Sequence, residues 1–341
     1  MLCDDAGTSR DRCGDQVSRS KPFRFGLQAY QATSAEQWRT LAREAEQLGY
    51  SVFHLADHYF GPGPLETETR HPVQDLAAIP AMAVAAEATE TIRIGCRVLC
   101  VDYHLPAVLA KELATLDLLS SGRLEIGLGA GWIEAEYRAM GVRWDRPGIR
   151  LQRLEEVMDL IEAHFGGEQI ALHGTHVQVT GYRGVPAPVQ TPRPPFMIGG
   201  GGERILRLAG RRADIVSLNF DNRSGRIGSD GIGSSTADAT DRKTCWIREG
   251  AGARFERLEL EIAAYFTMVG VNPPTAYAHL SGALGLPPET LDDHPHVLAG
   301  PVDEICDQLE ARRERYGISY VTVGARALHD FAPVVARLAG T

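Results

Sequence analysis

The chain has 341 residues, a formal net charge of −9, 44% hydrophobic residues and 23% charged residues. These proportions are typical of a globular protein and exclude a collagen, a coiled coil or a globally disordered chain. No apolar run approaches the roughly 18 residues that a membrane helix needs. A phosphate-backbone binder normally presents a basic face, and this acidic chain shows none. We therefore expect no nucleic-acid partner and no membrane partner.

The first 21 residues are polar, lack periodicity and contain no apolar core of the kind that a secretory signal has. We predict a disordered tail over residues 1–21, followed by one domain over residues 22–341. The six cysteines form no CxxC pair, and a chain of this size does not need disulfides to fold. We therefore expect free thiols and a cytoplasmic protein.

Strand-like and helix-like segments alternate along the chain from Phe23 onwards. Ser34 is a predicted N-cap, and Pro106 and Gly122 are predicted to bound a helix. The predicted helices cover 36–48, 74–88, 106–119, 150–165, 203–212, 302–316 and 329–338. The predicted strands lie near residues 24, 52, 94, 125, 196, 215, 262 and 320, with a small hairpin over 168–181.

Alternation with short links indicates parallel strands connected by helices. Eight strands is the number that closes a barrel, so we predict an α/β fold, a (β/α)8 TIM-like barrel with insertions. A doubly wound open sheet is the alternative. Residues 221–240 are rich in Gly, Ser and Asp, which predicts a flexible insertion on the face where barrel loops form sites. It is either a lid or an inert insertion.

In such a barrel the functional site lies at the carboxyl ends of the strands. Candidate site residues fall at four of these predicted ends, among them a titratable pair and two glycine-rich segments. They are Asp57-His58 after the second strand, Leu99-Cys100 at the third, Gly129-Ala130-Gly131 at the fourth and Gly199–Gly202 at the fifth. Their convergence on one rim predicts a binding site there.

Two of these motifs predict a chemical role, each with an alternative. Gly199–Gly202 precedes a predicted helix, which favours an anion site made of backbone N–H groups; the alternative is a tight turn that needs positive φ. Histidine as a residue type has a reference pKa of about 6.5, which suits proton transfer, and His58 is the candidate. The alternative is a solvated histidine beside a helix-capping Asp57. Cysteine and histidine spacing fits no zinc pattern, so we expect no metal.

Five stretches carry a resemblance to a known family. They are AEQLGYSVFHLADHY (45–59), IRIGCRVLCVDYHLPAVLAKELATLDLLSSGRLEIGLGAGW (92–132), RLQRLEEVMDLI (150–161), MIGGGGERILRLAGRRADIV (197–216) and GPVDEICDQLEARRERYGISYV (300–321). In these residues and their order the chain resembles the bacterial luciferase-like superfamily, in its branch of oxidoreductases that depend on the deazaflavin coenzyme F420. The resemblance implies a TIM-like barrel with the ring bound at the strand ends.

The resemblance also implies roles for individual residues. Asp57 would contact the ring edge, and His58 would face the reacting carbon as a proton relay. Leu99 and Cys100 would lie in a bulge that often holds a non-proline cis peptide behind the ring. The glycine run would bind the cofactor phosphate through Gly200, Gly201 and Gly202. Gly129, Ala130 and Gly131 would permit close approach of the flat ring.

The sequence departs from the family pattern at one place. Trp132 stands where some members carry a glutamate acid, which argues against sugar-phosphate dehydrogenation. We expect the nearby Glu134 and Glu136 to be groups on a helix surface. Tyr59, Phe60 and Trp132 are expected to wall an apolar pocket for a small organic substrate.

Further expectations concern the cofactor and partners. FMN is the alternative to F420, in an FMN-dependent monooxygenase, and a non-catalytic cofactor-binding paralogue is a third possibility. A basic group beside the insertion consists of Arg223, Arg226, Arg242 and Lys243. These residues are either solvated loop charges or, by hypothesis, the group that holds the acidic tail of F420. Family members usually dimerise through barrel helices, so we expect a homodimer.

Overall fold

The computed structural model describes residues 21–341, and its strands form one large sheet and two small ones. The strands are β1 (Arg24–Gln28), β2 (Val52–Leu55), β3 (Arg93–Cys96), β4 (Leu99–Cys100), β5 (Leu124–Gly129), β6 (Gln169–His173), β7 (Gln178–Arg183), β8 (Phe196–Gly200), β9 (Ile215–Leu218), β10 (Glu259–Ala264), β11 (Phe266–Val269), β12 (Val297–Gly300) and β13 (Ile318–Gly324).

The helices follow the strands along the chain. They are α1 (Ala35–Gln47), α2 (Pro64–Thr69), α3 (Ala78–Ala88), α4 (Pro106–Leu119), α5 (Glu134–Met140), α6 (Pro147–Gly166), α7 (Glu203–Arg212), α8 (Ser229–Gly233), α9 (Ala237–Ala251), α10 (Pro273–Leu284), α11 (Pro288–Asp292), α12 (Val302–Tyr316) and α13 (Leu328–Leu338). Within residues 21–341, no helix has the length and apolar character to cross a bilayer.

The large sheet is a closed parallel barrel. Its strands follow one another in the order β3-β2-β1-β13-β10-β9-β8-β5, and pairing of β3 with β5 closes the ring. β4 continues the line of β3 after a short interruption and pairs with β5. All eight predicted strands lie in this barrel, so the predicted TIM-like fold is confirmed and the open-sheet alternative is wrong.

Local sequence signals account for several element boundaries. The Ser34 hydroxyl accepts a hydrogen bond from the Gln37 N–H at 3.1 Å and caps α1. Pro106 occupies the first turn of α4, where its missing N–H costs no helical hydrogen bond. The predicted helix over 203–212 and the hairpin of β6 and β7 are also confirmed.

The strand predicted near residue 262 continues into a second strand. The apolar run over 258–269 contains both β10, in the barrel, and β11, which pairs with β12 outside it. β12 was not predicted. Ala276, Leu280 and Leu291, from α10 and α11, share a small hydrophobic core with this pair of strands. Periodicity alone does not divide one continuous strand-like segment between two sheets.

The predicted loop over 221–240 is wrong in its secondary structure. The segment contains α8 and the start of α9, and Ile232 and Ser235 are buried at 0% and 1% exposure. Its serine side chains satisfy backbone groups of the same segment: the Ser234 hydroxyl accepts a hydrogen bond from the Asp221 N–H at 2.7 Å. Its Ile227 N–H donates to the carbonyl of Thr69 in α2 at 2.9 Å. The segment therefore reaches across to the loop that follows β2.

Two predictions on chain organisation have different outcomes. The predicted tail over 1–21 lies outside the described residues except for Lys21, so the division into tail and single domain stays a prediction. Cys96, Cys100 and Cys306 are buried free thiols. Cys245 is disulfide-bonded, so the expectation of free thiols is wrong at that position.

Candidate active site

The carboxyl ends of the strands bring the predicted site residues together on one rim of the barrel. The clearest link joins the ends of β2 and β4, where the Cys100 N–H donates to Oδ2 of Asp57 at 2.9 Å. Neighbouring parallel strands end at the same edge, which is why residues 43 positions apart in sequence meet here.

Asp57 is a buried carboxylate, 2% exposed, with its two oxygens in different situations. Oδ2 accepts from Cys100 and lies 2.8 Å from Nε2 of His104. Oδ1 is buried and has no hydrogen-bond partner among the described residues. A buried unpaired oxygen is costly, so Oδ1 is placed to accept an N–H or O–H from a ligand. No sequence motif singled out His104.

His58 is held by a carboxylate that was expected on the surface. Its Nδ1 lies 2.8 Å from Oε2 of Glu136, and the side chain of Glu136 is fully buried. The expectation for Glu136 is wrong because α5 turns this residue inwards, between the buried Ala135 and Tyr137. Glu134, two residues earlier, is exposed as expected. The interpretation of His58 as a solvated histidine is therefore excluded.

Aromatic rings enclose the His58 imidazole. The ring centroids of His71, Phe60 and Trp132 lie 4.0, 5.8 and 6.1 Å from that of His58. Burial, and secondarily the neighbouring His58, lowers the pKa of His71 to about 3, so His71 is neutral near pH 7. Tyr59 does not join this wall; it packs edge-on against Tyr103, with centroids 5.8 Å apart.

The bulge predicted on the third barrel strand is present. It contains a non-proline cis peptide, between Arg97 and Val98. The side chains of Leu99 and Cys100 are buried at 0% and 6% exposure. The bulge residue beside the predicted glycines is Val98, since a Cβ on Gly129 would lie 2.6 Å from its Cγ2. Val98 was not predicted, and any contact of Leu99 or Cys100 with a cofactor stays a prediction.

The glycine run, Gly199–Gly202, does not form the tight turn with positive φ that was one of the two interpretations. None of Gly199–Gly202 has a positive φ, so that alternative is wrong. A Cβ on Gly201 would lie 2.1 Å from the carbonyl oxygen of Phe220, whereas nothing lies within 4 Å of a Cβ on Gly202. Gly202 is the N-cap of α7 and carries no side-chain cap. The open space above it, at a helix N-terminus, fits an anion.

Two other parts of the rim add to this description. Gly131 has φ of +70° and packs so closely on Tyr137 that a Cβ would lie 1.9 Å from its hydroxyl.

Arg204, in the first turn of α7, is exposed and has no ion-pair partner within the described chain. Arg204 is a candidate anion-binding residue that the sequence analysis missed, because nothing in its local sequence distinguishes it from other surface arginines.

Only part of the predicted basic group beside the insertion is free to bind an anionic cofactor tail. Lys243 is buried at 3% exposure, and its Nζ donates to the Asn219 carbonyl at 2.6 Å and to the Ser235 hydroxyl. Arg223 pairs with Asp221. The expectation is therefore wrong for Lys243 and unsupported for Arg223. Arg226 and Arg242 have no ion pair in the part of the chain described.

A second polar group lies across the barrel mouth. Arg97 is 6% exposed; its Nε lies 3.0 Å from Oε2 of Glu261, and its Nη1 lies 3.1 Å from the Tyr265 hydroxyl. The Tyr265 hydroxyl in turn donates to Oδ1 of Asn219 at 3.2 Å. Arg97 lies in the bulge and Glu261 in β10, whereas Asn219 directly follows β9 and Tyr265 directly follows β10. No motif in the sequence indicated these residues.

Comparisons with known proteins identify the family and the fold. The family model for luciferase-like monooxygenases matches residues 18–227. An F420-dependent glucose-6-phosphate dehydrogenase from Microbacterium testaceum is 32% identical, over 57% of this chain and 55% of that protein. An FMNH2-dependent dimethylsulfone monooxygenase from Pseudomonas putida is 29% identical, over 55% of this chain and 49% of that one.

A solved structure extends the similarity to nearly the whole fold. An F420-dependent secondary alcohol dehydrogenase, solved with an F420-acetone adduct, superimposes with a TM-score of 0.74. It is 17% identical, and the match covers 93% of this chain and 99% of that one. At this identity the likeness shows the fold.

The buried amine of Lys243 predicts a pH-dependent stability. Burial lowers its pKa from the usual 10.5 to about 7, with Asp221 partly opposing the shift. Between these values the unfolded chain binds more protons than the folded chain, so stability rises with pH. Relative to Lys243→Met, the wild type should therefore gain up to roughly 1 kcal/mol of unfolding free energy per pH unit above about pH 7.

Urea denaturation of both proteins across this pH range measures the difference. Lys111→Met is the control, because Lys111 is exposed and its removal should leave the rise in stability above about pH 7 unchanged. A constant gap between wild type and Lys243→Met would contradict the assignment.

Proposed function

Because the chain belongs to the luciferase-like monooxygenase family, we propose that it is an F420-dependent oxidoreductase that transfers a hydride between the deazaflavin and a small organic substrate. The observation that carries this proposal is the pairing of His58 with a buried carboxylate, beside the unpaired Oδ1 of Asp57. A proton-transfer group and an edge-binding group thus share one rim.

The residues present fit a cofactor with a flat polar ring and an anionic arm. Oδ1 of Asp57 has an unfilled acceptor position, and the space above Gly202 is open at the N-terminus of α7. We propose that Asp57, Leu99, Cys100 and the two glycine segments, 129–131 and 200–202, hold the cofactor. When bound, the deazaflavin supplies the two-electron hydride chemistry.

His58 would move the proton that accompanies that hydride. When a substrate carbon loses hydride, an attached hydroxyl loses its proton to the imidazole; in the reverse direction the imidazole returns it. Phe60 and Trp132 pack around the imidazole and exclude water from one side of it. Trp132 and Phe60 also favour an apolar or planar substrate.

An FMN-dependent monooxygenase is the second candidate, and the relative from Pseudomonas putida supports it. The same glycine segments would hold an FMN phosphate, so the geometry of the rim does not separate the two cofactors. A non-catalytic cofactor-binding paralogue is the third candidate. It would bind a cofactor at the same rim without turnover.

Titration of the purified protein with F420 and with FMN, followed in the visible spectrum, tests the cofactor. We expect F420 to bind at least about tenfold more tightly, and binding to weaken with salt because its arm is anionic. Arg204→Ala should weaken F420 binding severalfold. Arg138→Ala, which removes an exposed arginine paired with Glu68, is the control. Tighter binding of FMN would favour the monooxygenase instead.

Removal of the His58 imidazole tests the proton relay. His58→Ala should lower turnover roughly 10²- to 10⁴-fold, the usual contribution of general acid-base catalysis. Affinity for the cofactor should change little. A screen of alcohols and carbonyl compounds with F420 supplies the assay, and His329→Ala, at an exposed histidine, is the control. Unchanged turnover in His58→Ala would remove this residue from the mechanism.

We further propose a homodimer formed through the outer face of α4. Six of the eight exposed large hydrophobic residues of the described chain lie on or beside this helix: Leu105, Val108, Leu118, Leu119, Val185 and Val189. The Lys111 ammonium donates to the Val185 carbonyl at 3.3 Å, which ties the 185–189 segment to α4. Exposed apolar side chains grouped along one helix mark a candidate interaction surface, and a two-fold axis would bury them against their copies.

Charges placed in this patch should separate the subunits. We expect the wild type to have about twice the chain mass of 37.1 kDa in light scattering. The double variant Val108→Glu, Leu119→Glu should have the mass of one chain, because two like charges per subunit would be buried. Ala139→Glu adds the same charge on α5, outside the patch, and should stay dimeric. A monomeric wild type would contradict the proposal.

A further inference from the structure

We propose that Glu136 is the positioning residue for His58, fixing the proton on Nδ1 so that Nε2 is the nitrogen that exchanges protons with the substrate. This inference rests on the proposed function, since it assigns a role to a residue that acts through the relay histidine. The matched sequence motifs gave no indication of it.

The hydrogen bonds of Glu136 determine the direction of each proton. Oε1 accepts from the backbone N–H of Tyr59 at 2.6 Å, and Oε2 accepts from the Tyr103 hydroxyl at 2.9 Å. Burial raises the pKa of Tyr103, so this hydroxyl keeps its proton and donates. Hydrogen bonds donated to both oxygens favour the ionised form of a carboxylate. Glu136 therefore acts as an acceptor at both oxygens.

Given that acceptor, the contact with His58 has one arrangement of protons. Nδ1 lies 2.8 Å from Oε2 of Glu136, so Nδ1 carries hydrogen and donates it. In the neutral imidazole the other nitrogen, Nε2, then has the lone pair. A general base needs this lone pair directed away from its orienting partner.

The neighbouring imidazole does not compete for the carboxylate. The Nδ1 of His71 lies 2.8 Å from the carbonyl oxygen of Pro72, which fixes its own N–H there. His71 is also neutral near pH 7, so it places no second positive charge beside His58. Glu136 is thus the acidic group that meets His58 directly in the described structure.

The substitution Glu136→Gln reverses the expected proton arrangement while preserving the side-chain length. The backbone N–H of Tyr59 is a fixed donor, so the glutamine oxygen would turn towards it. The amide NH2 would then donate to Nδ1 of His58, which would have to become the acceptor. The neutral imidazole would shift its hydrogen to Nε2, the nitrogen that the reaction needs unprotonated.

Nitrogen-15 NMR of the histidine side chains measures this tautomer directly, in the absence of substrate. Spectra are recorded at increasing pH until the histidine signals stop changing, and the neutral imidazole of His58 should then carry its hydrogen on Nδ1 in the wild type. His58→Ala assigns its signals by subtraction. Glu136→Gln should show His58 protonated at Nε2, and Glu134→Gln, on the exposed face of the same helix, should match the wild type.

Kinetics supply the second measurement. Turnover of Glu136→Gln should fall on the order of 10²-fold, with the KM for cofactor nearly unchanged, because Glu136 acts on the proton relay and not on binding. Glu134→Gln should keep wild-type turnover. If Glu136→Gln both moves the hydrogen of His58 from Nδ1 to Nε2 and lowers turnover, the positioning role is supported.

Other results would overturn it, and they separate this inference from the proposed function. A wild-type His58 protonated at Nε2 refutes the assignment even if Glu136→Gln does not fold. A changed tautomer with unchanged turnover in Glu136→Gln, while His58→Ala is inactive, refutes the positioning role alone. Full turnover in His58→Ala refutes the proposed relay, and the positioning role with it.

Discussion

Buried acceptor oxygens organise the mouth of this barrel. A carboxylate removed from water must find donors, and Asp57 and Glu136 find theirs in chain segments that are distant in sequence. Asp57 joins the end of β2 to β4, and Glu136 joins α5 to the backbone after β2 and to Tyr103. The position of His58 follows from these two attachments, because it lies between the two anchored points of the chain.

The barrel was predictable because its strands are short apolar runs separated by segments in which apolar residues recur at helical spacing. The rim was predictable in part. Asp57, His58 and the glycines come directly after predicted strands or at their ends, so the predicted barrel already placed them at the carboxyl ends of the strands. Glu136 and His104 are different, because each occupies a helix or loop whose rotation decides whether the side chain faces solvent or the interior. No local pattern in one sequence fixes that rotation.

The segments after β9 and β10 show where composition misleads. The 221–240 segment looks unable to pack, yet its hydroxyls satisfy its backbone and Ile232 enters the interior. Its partner in packing is the insertion after β10, since Nε2 of His294 lies 2.9 Å from the carbonyl of Ile232. The two segments thus contact each other, and a contact between distant segments is not visible when each stretch of sequence is interpreted separately.

The hydrogen bond between Ile227 and Thr69 has a consequence for redesign of this enzyme class. It joins the segment that follows β9 to the segment that follows β2, so these two segments are connected at the rim of the barrel. Transplanting either piece from a homologue would leave a backbone donor or acceptor facing a foreign partner. Chimeras made to alter substrate preference should therefore exchange the segment after β9 and the segment after β2 together.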